Sequence, residues 1–119
     1  MSRAPARDLN ITLAEIRNDV FVATAAGELD LARKEELERA LEAVLARGRA
    51  RLVLDASGVP LIDSSALGLL TGAARRLRAA GGDLLLVSDD PRVRRTLEVT
   101  GLDRFFLVAP SLTAALESL

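Results

Sequence analysis

Apolar and polar positions change their spacing several times along the chain, and each spacing predicts a different kind of element. Leu9 to Ile16 alternates apolar and polar residues for most of its length, as a half-buried strand does. Val20 to Ala25 is a second run rich in strand-forming residues, and Arg17-Asn18-Asp19 between the two runs is rich in turn-forming residues. The two runs therefore predict an N-terminal hairpin, whose second strand is closed by Gly27 to Asp30.

The rest of the chain alternates helical spacing with short, continuous apolar runs. Segments with apolar residues at three- and four-residue spacing are predicted to be helices, and these are Leu31–Arg47, Ser64–Ala80, Pro91–Thr100 and Ser111–Leu119. The continuous apolar runs are predicted to be buried strands, and these are Leu52–Leu54, Leu84–Val87 and Phe105–Val108. Strands separated by helices favour right-handed crossovers between parallel strands. The sequence thus predicts an α/β fold, in which a mixed β-sheet with an antiparallel N-terminal hairpin packs against about four helices.

Two of the predicted helices carry the residue types that start and stop helices. Asp30 is the predicted N-cap of the first helix, and Gly48 follows its last turn. Asp90 followed by Pro91 predicts the start of the third helix, and Gly101 predicts its end. These residues set helix bounds independently of the apolar spacing.

Residues 8–119 contain no internal repeat or low-complexity linker, and we expect them to form a single domain after a flexible tail over residues 1–7. Half of the residues are apolar (50%), which is enough material for a core. The longest apolar run is far shorter than the ~20 residues of a membrane-spanning helix. No apolar stretch follows the N-terminal arginines, as it would in a secretory signal. We therefore expect a cytoplasmic protein without membrane insertion.

The composition excludes several classes of function. The chain has no cysteine, histidine or tyrosine, which removes disulfides, cysteine-held zinc, iron–sulfur clusters and the usual general base. The 16 basic and 17 acidic residues give a net charge of −1, and the aromatic residues are three phenylalanines that we predict to be core (Phe21, Phe105 and Phe106). A nucleic-acid partner would normally require a basic excess and aromatic stacking platforms. We expect no nucleic-acid binding, no cofactor and no metal.

One strand-to-helix loop concentrates the candidate chemistry. Asp63, Ser64 and Ser65 stand at the start of the second predicted helix, where unpaired backbone N–H groups and the helix dipole favour an anion. A phosphate on a serine here would add about −1.5 to −2 charges beside the Asp63 carboxylate. Helix capping alone is the alternative, because all three residue types are favoured N-caps. The spacing leaves both interpretations open.

Several segments, in order and at compatible spacing, resemble the STAS-domain anti-sigma factor antagonists of bacteria. They are GELD at Gly27–Asp30, LDASGV at Leu54–Val59, IDSSALG at Ile62–Gly68, the Gly81-Gly82 turn and PRVRRTLEVTGL at Pro91–Leu102. The resemblance implies a STAS-like fold and a partner-switching role. Such proteins bind an anti-sigma factor, typically a serine kinase of the GHKL type, and thereby free a sigma factor.

The resemblance also implies roles for single residues. The kinase in such a system phosphorylates the first serine after the motif's aspartate, which is Ser64 here, and a PP2C-type phosphatase reverses the reaction. Asp63 and Ser65 flank this serine, and Asp30 lies in a loop that contributes to the family's partner surface. Ala66 stands where the family commonly has glycine.

The second predicted helix has two stripes of residues at helical spacing. One stripe is predicted to be core, and it consists of Leu67, Leu70, Ala74 and Leu77. The other begins at Ser65 and is a candidate partner surface, continuing through Leu69, Gly72 and Arg76. Small Gly68 and Gly72 beside Leu69 would allow a partner to approach closely. Alternatively, Leu69 packs against a neighbouring helix and nothing binds there.

Other charged residues give weaker indications. Arg92, Arg94 and Arg95 suggest an anion site, but they are more typical of a solvated helix face. The Asp89-Asp90 pair lacks further oxygen ligands in register, so it does not predict a cation site. An enzyme is not expected, because Ser64 has no base nearby in the sequence and the one lysine lies on the first predicted helix. A phosphorylated receiver domain is excluded, because no lysine follows the last predicted strand.

A second role within the same fold stays open. STAS domains also serve as accessory subunits of lipid-transport ATPases and as parts of stress-signalling assemblies, in which phosphorylation of Ser64 would have no function. The single-domain length and the intact Asp-Ser-Ser sequence at positions 63–65 favour the sigma-regulating role.

Overall fold

The β-sheet has five strands, which lie side by side in chain order. A computed structural model describes residues 9–119, so the tail predicted over residues 1–7 lies outside the described residues. The strands are β1 (Asn10–Arg17), β2 (Val20–Ala26), β3 (Arg51–Gly58), β4 (Asp83–Val87) and β5 (Leu107–Ala109). β1 pairs antiparallel with β2, and every later pair is parallel. The predicted mixed sheet is confirmed.

Helices cover both faces of this sheet. They are α1 (Lys34–Leu45), α2 (Ser64–Ala79), α3 (Pro91–Thr100) and α4 (Leu112–Glu117). Leu52 and Leu54 of β3 belong to a core shared with α1, α2 and α3, whereas Val53 between them packs in a second core with Ala115 of α4. Successive residues of a strand face opposite sides, so β3 is buried on both faces, as its continuous apolar run predicts.

The first helix differs from its prediction at both ends. The chain forms a 3-10 helix over Leu31–Arg33 before α1 begins at Lys34, and α1 ends at Leu45 rather than Arg47. Asp30 makes no capping hydrogen bond; its two carboxylate oxygens accept from Nη1 of Arg33 at 3.0 and 2.8 Å. This charge-assisted pair occupies the carboxylate that the prediction assigned to the helix amides. Asp30 is the N-cap residue of the 3-10 helix by position, but its side chain does not cap the helix as predicted.

The last strand is also displaced from its prediction. Phe105 and Phe106 lie in the turn before β5, because both of their amides donate to the Leu102 carbonyl, at 3.0 and 2.9 Å. Their rings meet edge to face with centroids 5.0 Å apart, and Phe106 is buried in the core. The aromatic residues thus serve core packing from a turn, and β5 begins only at Leu107. The closing helix is also shorter than predicted, spanning Leu112–Glu117.

The third helix agrees with its prediction from end to end. The Asp90 carboxylate accepts from the Arg92 amide at 2.8 Å, Pro91 occupies the first turn, and Gly101 adopts the left-handed conformation with φ of 76°. The pKa of Asp90 is lowered to about 2 by the hydrogen bonds from the Arg92 side chain and backbone, which outweigh desolvation.

One glycine is required by close packing between backbones. An ideal Cβ on Gly82, which precedes β4, would lie 1.7 Å from the carbonyl oxygen of Ala50. Gly81 before it takes a φ of 92° after the end of α2. The Gly81-Gly82 pair therefore ends a helix, as predicted, and also brings the chain against the start of β3.

The loops that follow β2 and β3 continue side by side beyond the sheet. The Gly27 amide donates to the Gly58 carbonyl at 3.1 Å, and the Leu29 amide donates to the Leu61 carbonyl at 2.9 Å. Leu29 and Ile62 form an isolated parallel bridge, and both side chains are buried. The two loops are thereby fixed to each other immediately before α2 begins.

Candidate functional site

Asp63 connects the start of α2 to the loop after β2. Its Oδ1 accepts from the Ala66 amide at 3.0 Å, which makes it the N-cap of α2. Its Oδ2 accepts from the Leu31 amide at 3.0 Å, across to the other loop. The Asp63 amide in turn donates to the Leu29 carbonyl at 3.0 Å. One residue therefore satisfies the helix end and positions both loops.

The environment of Asp63 favours its charged form. Burial raises the pKa of its carboxyl, but hydrogen bonds from the Ser65 hydroxyl and from the amides of Ala66, Leu31 and Ser65 outweigh burial and hold the pKa below its usual range. Asp63 is thus a carboxylate at neutral pH. Its negative charge lies at the positive end of the α2 dipole.

The two serines after Asp63 differ in availability. The Ser65 hydroxyl donates to Oδ1 of Asp63 at 2.6 Å, and the residue is half-buried. Ser64 is exposed in the first turn of α2, and no hydrogen bond within residues 9–119 involves its hydroxyl. Asp63 therefore caps the helix, whereas the Ser64 hydroxyl is exposed and has no capping role.

Asp30 lies in the loop that Asp63 holds through Leu31. It is half-buried and forms its ion pair with Arg33 at 2.8 Å. The structure thus brings the loop of Asp30 to the start of α2, as the resemblance implies. The Asp30 carboxylate itself is engaged with Arg33.

The candidate partner stripe of α2 borders a groove between α1 and α2. This groove has a volume of about 480 Å³, and its apolar lining includes Leu41, Leu45, Leu69 and Ala73. Leu69 is half-buried and packs against the core, so part of its side chain is structural and part lines the groove. The predicted core stripe of α2 (Leu67, Leu70, Ala74 and Leu77) is buried. Leu69 therefore contributes both to the core and to the groove lining.

Small and charged residues form the margin of this groove. An ideal Cβ on Gly68 or Gly72 would meet no atom within 4 Å, so both glycines leave open space beside Leu69. Arg76 binds Glu42 across the groove, with Nη1 and Oε2 3.0 Å apart, and both side chains are largely exposed. An exposed pair of this kind adds about 0–1 kcal/mol to stability. A binding partner can therefore replace it at little cost.

Ala66, which replaces the family's usual glycine, does not reach this surface. The residue is 1% exposed and belongs to the core shared with α1 and α3. Its methyl group therefore lies inside the protein rather than beside the Ser64 hydroxyl.

Two exposed residues next to Asp63 were missed by the sequence interpretation. Leu31 is 62% exposed and Leu61 is 45% exposed. The apolar spacing placed Leu31 in the first turn of a regular helix and gave no role to Leu61. No sequence signal distinguishes an exposed leucine in an irregular segment from a packed one, because exposure here depends on the 3-10 turn and on the pairing of two loops.

The remaining sequence candidates have structural contacts. Arg92 binds Asp90 with Nη2 and Oδ2 2.7 Å apart, and Nη1 of Arg94 donates to the Ser88 carbonyl at 3.0 Å. In the part of the chain that the structure describes, no three acidic, histidine or cysteine residues are grouped so as to hold a metal ion. None of the described helices is long and apolar enough to span a bilayer.

Comparison with known proteins gives a consistent result. Residues 12–115 match the STAS domain family. BtrV of Bordetella bronchiseptica, named as a candidate anti-sigma factor antagonist, is 33% identical over 107 residues, covering 90% of this chain and 91% of that protein. The anti-sigma-B factor antagonist of Listeria monocytogenes is 34% identical over 84 residues, covering 71% of each chain.

A solved structure agrees in both fold and sequence. The crystal structure of an anti-sigma factor antagonist from Mycobacterium paratuberculosis superposes with a TM-score of 0.85 at 31% identity, covering 97% of this chain and 96% of that chain. An antagonist acts on another protein by binding to it, so these relatives agree with a regulatory protein rather than an enzyme. The family match spans most of the chain, including the Asp63–Ser64 loop and both helices of the groove, and the chain therefore belongs to the STAS-domain family of anti-sigma factor antagonists.

Proposed function

We propose that this protein binds an anti-sigma factor of the GHKL serine-kinase type and thereby releases a sigma factor. Phosphorylation of Ser64 by that kinase ends the binding, and a PP2C-type phosphatase restores it. The partner contacts are the residues around the start of α2 and along its groove, namely Asp30, Asp63, Ser64, Ser65, Leu69, Gly72 and Arg76. The names of the relatives support an anti-sigma factor as the partner.

The single observation that carries this proposal is the contrast between the two serines. The Ser65 hydroxyl is bound to Asp63, whereas the Ser64 hydroxyl is exposed and takes part in no hydrogen bond of the described residues. A kinase needs a hydroxyl that it can reach and whose proton is not already donated within the fold. Ser64 meets both requirements, whereas Ser65 is half-buried and already donates its proton to Asp63.

The electrostatics of the site explain why a phosphate would disfavour binding. Phosphoserine adds about −1.5 to −2 charges next to the ionised Asp63. Two unit charges 4 Å apart interact by about 1 kcal/mol in water and more strongly where a partner excludes water. On the exposed surface of the free protein, water screens this repulsion. Inside a protein–protein interface the same repulsion is stronger. Phosphorylation therefore weakens association more than it weakens the fold.

Phosphopeptide mapping and affinity capture from the native cells test the proposal together. We expect phosphate on Ser64 with an occupancy that changes between growth and stress. Ser64→Ala should capture a protein with a GHKL ATPase domain, and Ser64→Asp should capture much less of it. Ser118→Ala, which changes an exposed serine at the far end of α4, is the control and should behave as the parent.

Other outcomes contradict the proposal. If Ser64 carries no phosphate in any condition and both variants capture the same proteins, the switch does not exist. Capture of a lipid-transport ATPase subunit in place of a kinase would assign the chain to the accessory-subunit role instead.

A further inference from the structure

Two exposed leucines lie near Asp63 at the start of α2, and the partner contacts proposed above do not include them. Leu31 is 62% exposed and Leu61 is 45% exposed, although Leu29 and Ile62 beside them are buried. A single exposed leucine is ordinary on a protein surface. The position of this pair is what distinguishes it from other exposed apolar residues.

The two leucines reach the neighbourhood of Asp63 from different loops, Leu31 from the loop after β2 and Leu61 from the loop after β3. The Leu31 amide donates to Oδ2 of Asp63 at 3.0 Å. Leu61 is separated from Asp63 by Ile62 alone, and its carbonyl accepts from the Leu29 amide at 2.9 Å. The bridge between Leu29 and Ile62 joins the two loops. Leu31 is therefore bonded to the carboxylate that precedes Ser64, and Leu61 lies two residues before that carboxylate in the loop paired with it.

Backbone hydrogen bonds hold both positions within the fold. The Leu31 amide donates to Asp63 at the start of the 3-10 helix, and the Leu61 carbonyl accepts from the Leu29 amide. A partner that covers these side chains does not first have to fold the segments that carry them. Contacts on ordered segments lose less conformational entropy on binding.

We propose that Leu31 and Leu61 are the apolar anchors of the partner contact, and that they enter an apolar recess of the anti-sigma factor beside the start of α2. This inference rests on the function proposed above and names the chemistry of its partner surface. Removing exposed leucine side chains from water favours association.

An apolar recess accounts for the direction of the switch. A basic pocket around Ser64 would bind the phosphorylated chain more tightly than the bare one, which is the reverse of the proposed regulation. A recess that closes over Leu31 and Leu61 encloses the neutral Ser64 hydroxyl at small cost. A phosphate in the same place would be stripped of water without a compensating positive charge. The leucines thus exclude water from the contact, and the exclusion of water makes the binding affinity sensitive to a phosphate on Ser64.

Photocrosslinking in the native cells tests this contact on the full chain. The photoreactive residue p-benzoylphenylalanine replaces Leu31, Leu61, Leu69 or Val99, one at a time. Leu69 lies in the proposed groove, whereas Val99 on α3 is 73% exposed and remote in sequence from the site, which makes it the matched control. Each adduct is identified by mass spectrometry.

The four crosslinking positions give different results depending on whether the leucine contact or the whole proposed function is wrong. We expect Leu31 and Leu61 to yield adducts with one GHKL-type anti-sigma factor, Val99 to yield none, and Ser64→Asp to reduce the adducts. An adduct with that protein from Leu69 but from neither Leu31 nor Leu61 overturns the inference and leaves the proposed function in place. The absence of an anti-sigma adduct at all four positions overturns both.

Affinity measurements with the crosslinked partner complete the test. Leu31→Ala should weaken binding by about tenfold or more, as for an anchor residue of an interface. Val99→Ala truncates an apolar side chain that is even more exposed than Leu31, and it should leave the affinity unchanged. Equal affinities for the parent and Leu31→Ala would overturn the inference, since circular dichroism can show that both variants remain folded.

Discussion

The carboxylate of Asp63 accepts the backbone amide of Leu31 at 3.0 Å, so the residue that caps α2 also holds the loop after β2. The hydrogen bond joins residues far apart in the sequence. A change at Asp63 therefore acts on two elements at once. Asp63 thus contributes both to the stability of the fold and to the geometry of the surface that we propose as the partner contact.

Substitution of Asp63 should destabilise the protein more than loss of an ordinary cap. Asp63→Ala removes the cap of α2, which by itself costs about 0.5–2 kcal/mol. It also leaves the Leu31 amide without its acceptor, which adds to the loss. Urea denaturation measures the change in the free energy of unfolding. Ser111→Ala, which removes the cap of the short helix α4, is the control and should cost less; equal losses would contradict the second role of Asp63.

The lowered pKa of Asp63 predicts a pH dependence of stability. Its pKa lies below the ordinary value of 3.8 in the folded protein. The ionised form therefore stabilises the fold above pH 3.8, and this contribution is lost as the pH falls through the lowered folded value. Stability should fall more steeply with acid for the parent than for Asp63→Asn. Parallel pH profiles of the two proteins, measured by urea denaturation, would show that Asp63 is not the titrating group.

Asp90 should titrate lower still, and for a local reason. The hydrogen bonds from Arg92 hold its pKa at about 2. An NMR titration of the side-chain carboxyl carbon should show a midpoint near that value. Arg92→Ala should raise the midpoint toward the ordinary range, because it removes the largest cause of the shift. A midpoint that does not move would assign the low pKa to the helix end rather than to Arg92.

Alanine substitutions of the two serines should have different effects, on stability for Ser65 and on regulation for Ser64. Ser65→Ala removes the hydroxyl that donates to Asp63, at a cost of about 0.5–1.5 kcal/mol. Ser64→Ala should leave stability nearly unchanged, because Asp63 and not Ser64 caps the helix. Its effect should be on the switch, since an alanine at this position cannot be phosphorylated. Thermal denaturation of both variants checks the first part, and a larger loss for Ser64→Ala than for Ser65→Ala would contradict it.

Glycine variants should have opposite effects at two positions. Gly82→Ala places a methyl group against the Ala50 carbonyl and should destabilise the fold by about 1–3 kcal/mol or more. Gly72→Ala adds a methyl group into open space within a helix and should stabilise it by about 0.5–1 kcal/mol. The same methyl group enters the proposed groove, so Gly72→Ala should bind the partner less well although it is more stable. Unchanged binding would remove Gly72 from the contact.

Local sequence signals were sufficient to predict an element where its terminal residues act only on the adjacent turn of the chain. The third helix was predicted from end to end, because Asp90, Pro91 and Gly101 each act within a turn of the chain. Asp30 was assigned to the wrong contact, because Arg33 competes for its carboxylate and propensity does not rank such pairs. The last strand was misplaced, because Phe105 and Phe106 satisfy the core from a turn as well as from a strand.

The candidate site was predictable in its residues but not in its arrangement. The motif placed Asp63, Ser64 and Ser65 at a helix start, and the structure agrees. Which serine is engaged depends on rotamers at the helix end, and the sequence spacing leaves that open. The exposure of Leu31 and Leu61 depends on two loops that pair only in the folded protein. Such features require the tertiary structure.

The order of the strands, which follows the order of the chain, has a consequence for biosynthesis. During translation the N-terminal elements leave the ribosome first. The β1–β2 hairpin can therefore form early, and each later strand adds to an edge that is already in place. Within residues 9–119, each strand from β2 onward pairs with the strand synthesised immediately before it. We therefore expect the sheet to assemble in the order of synthesis, from the β1–β2 hairpin toward β5.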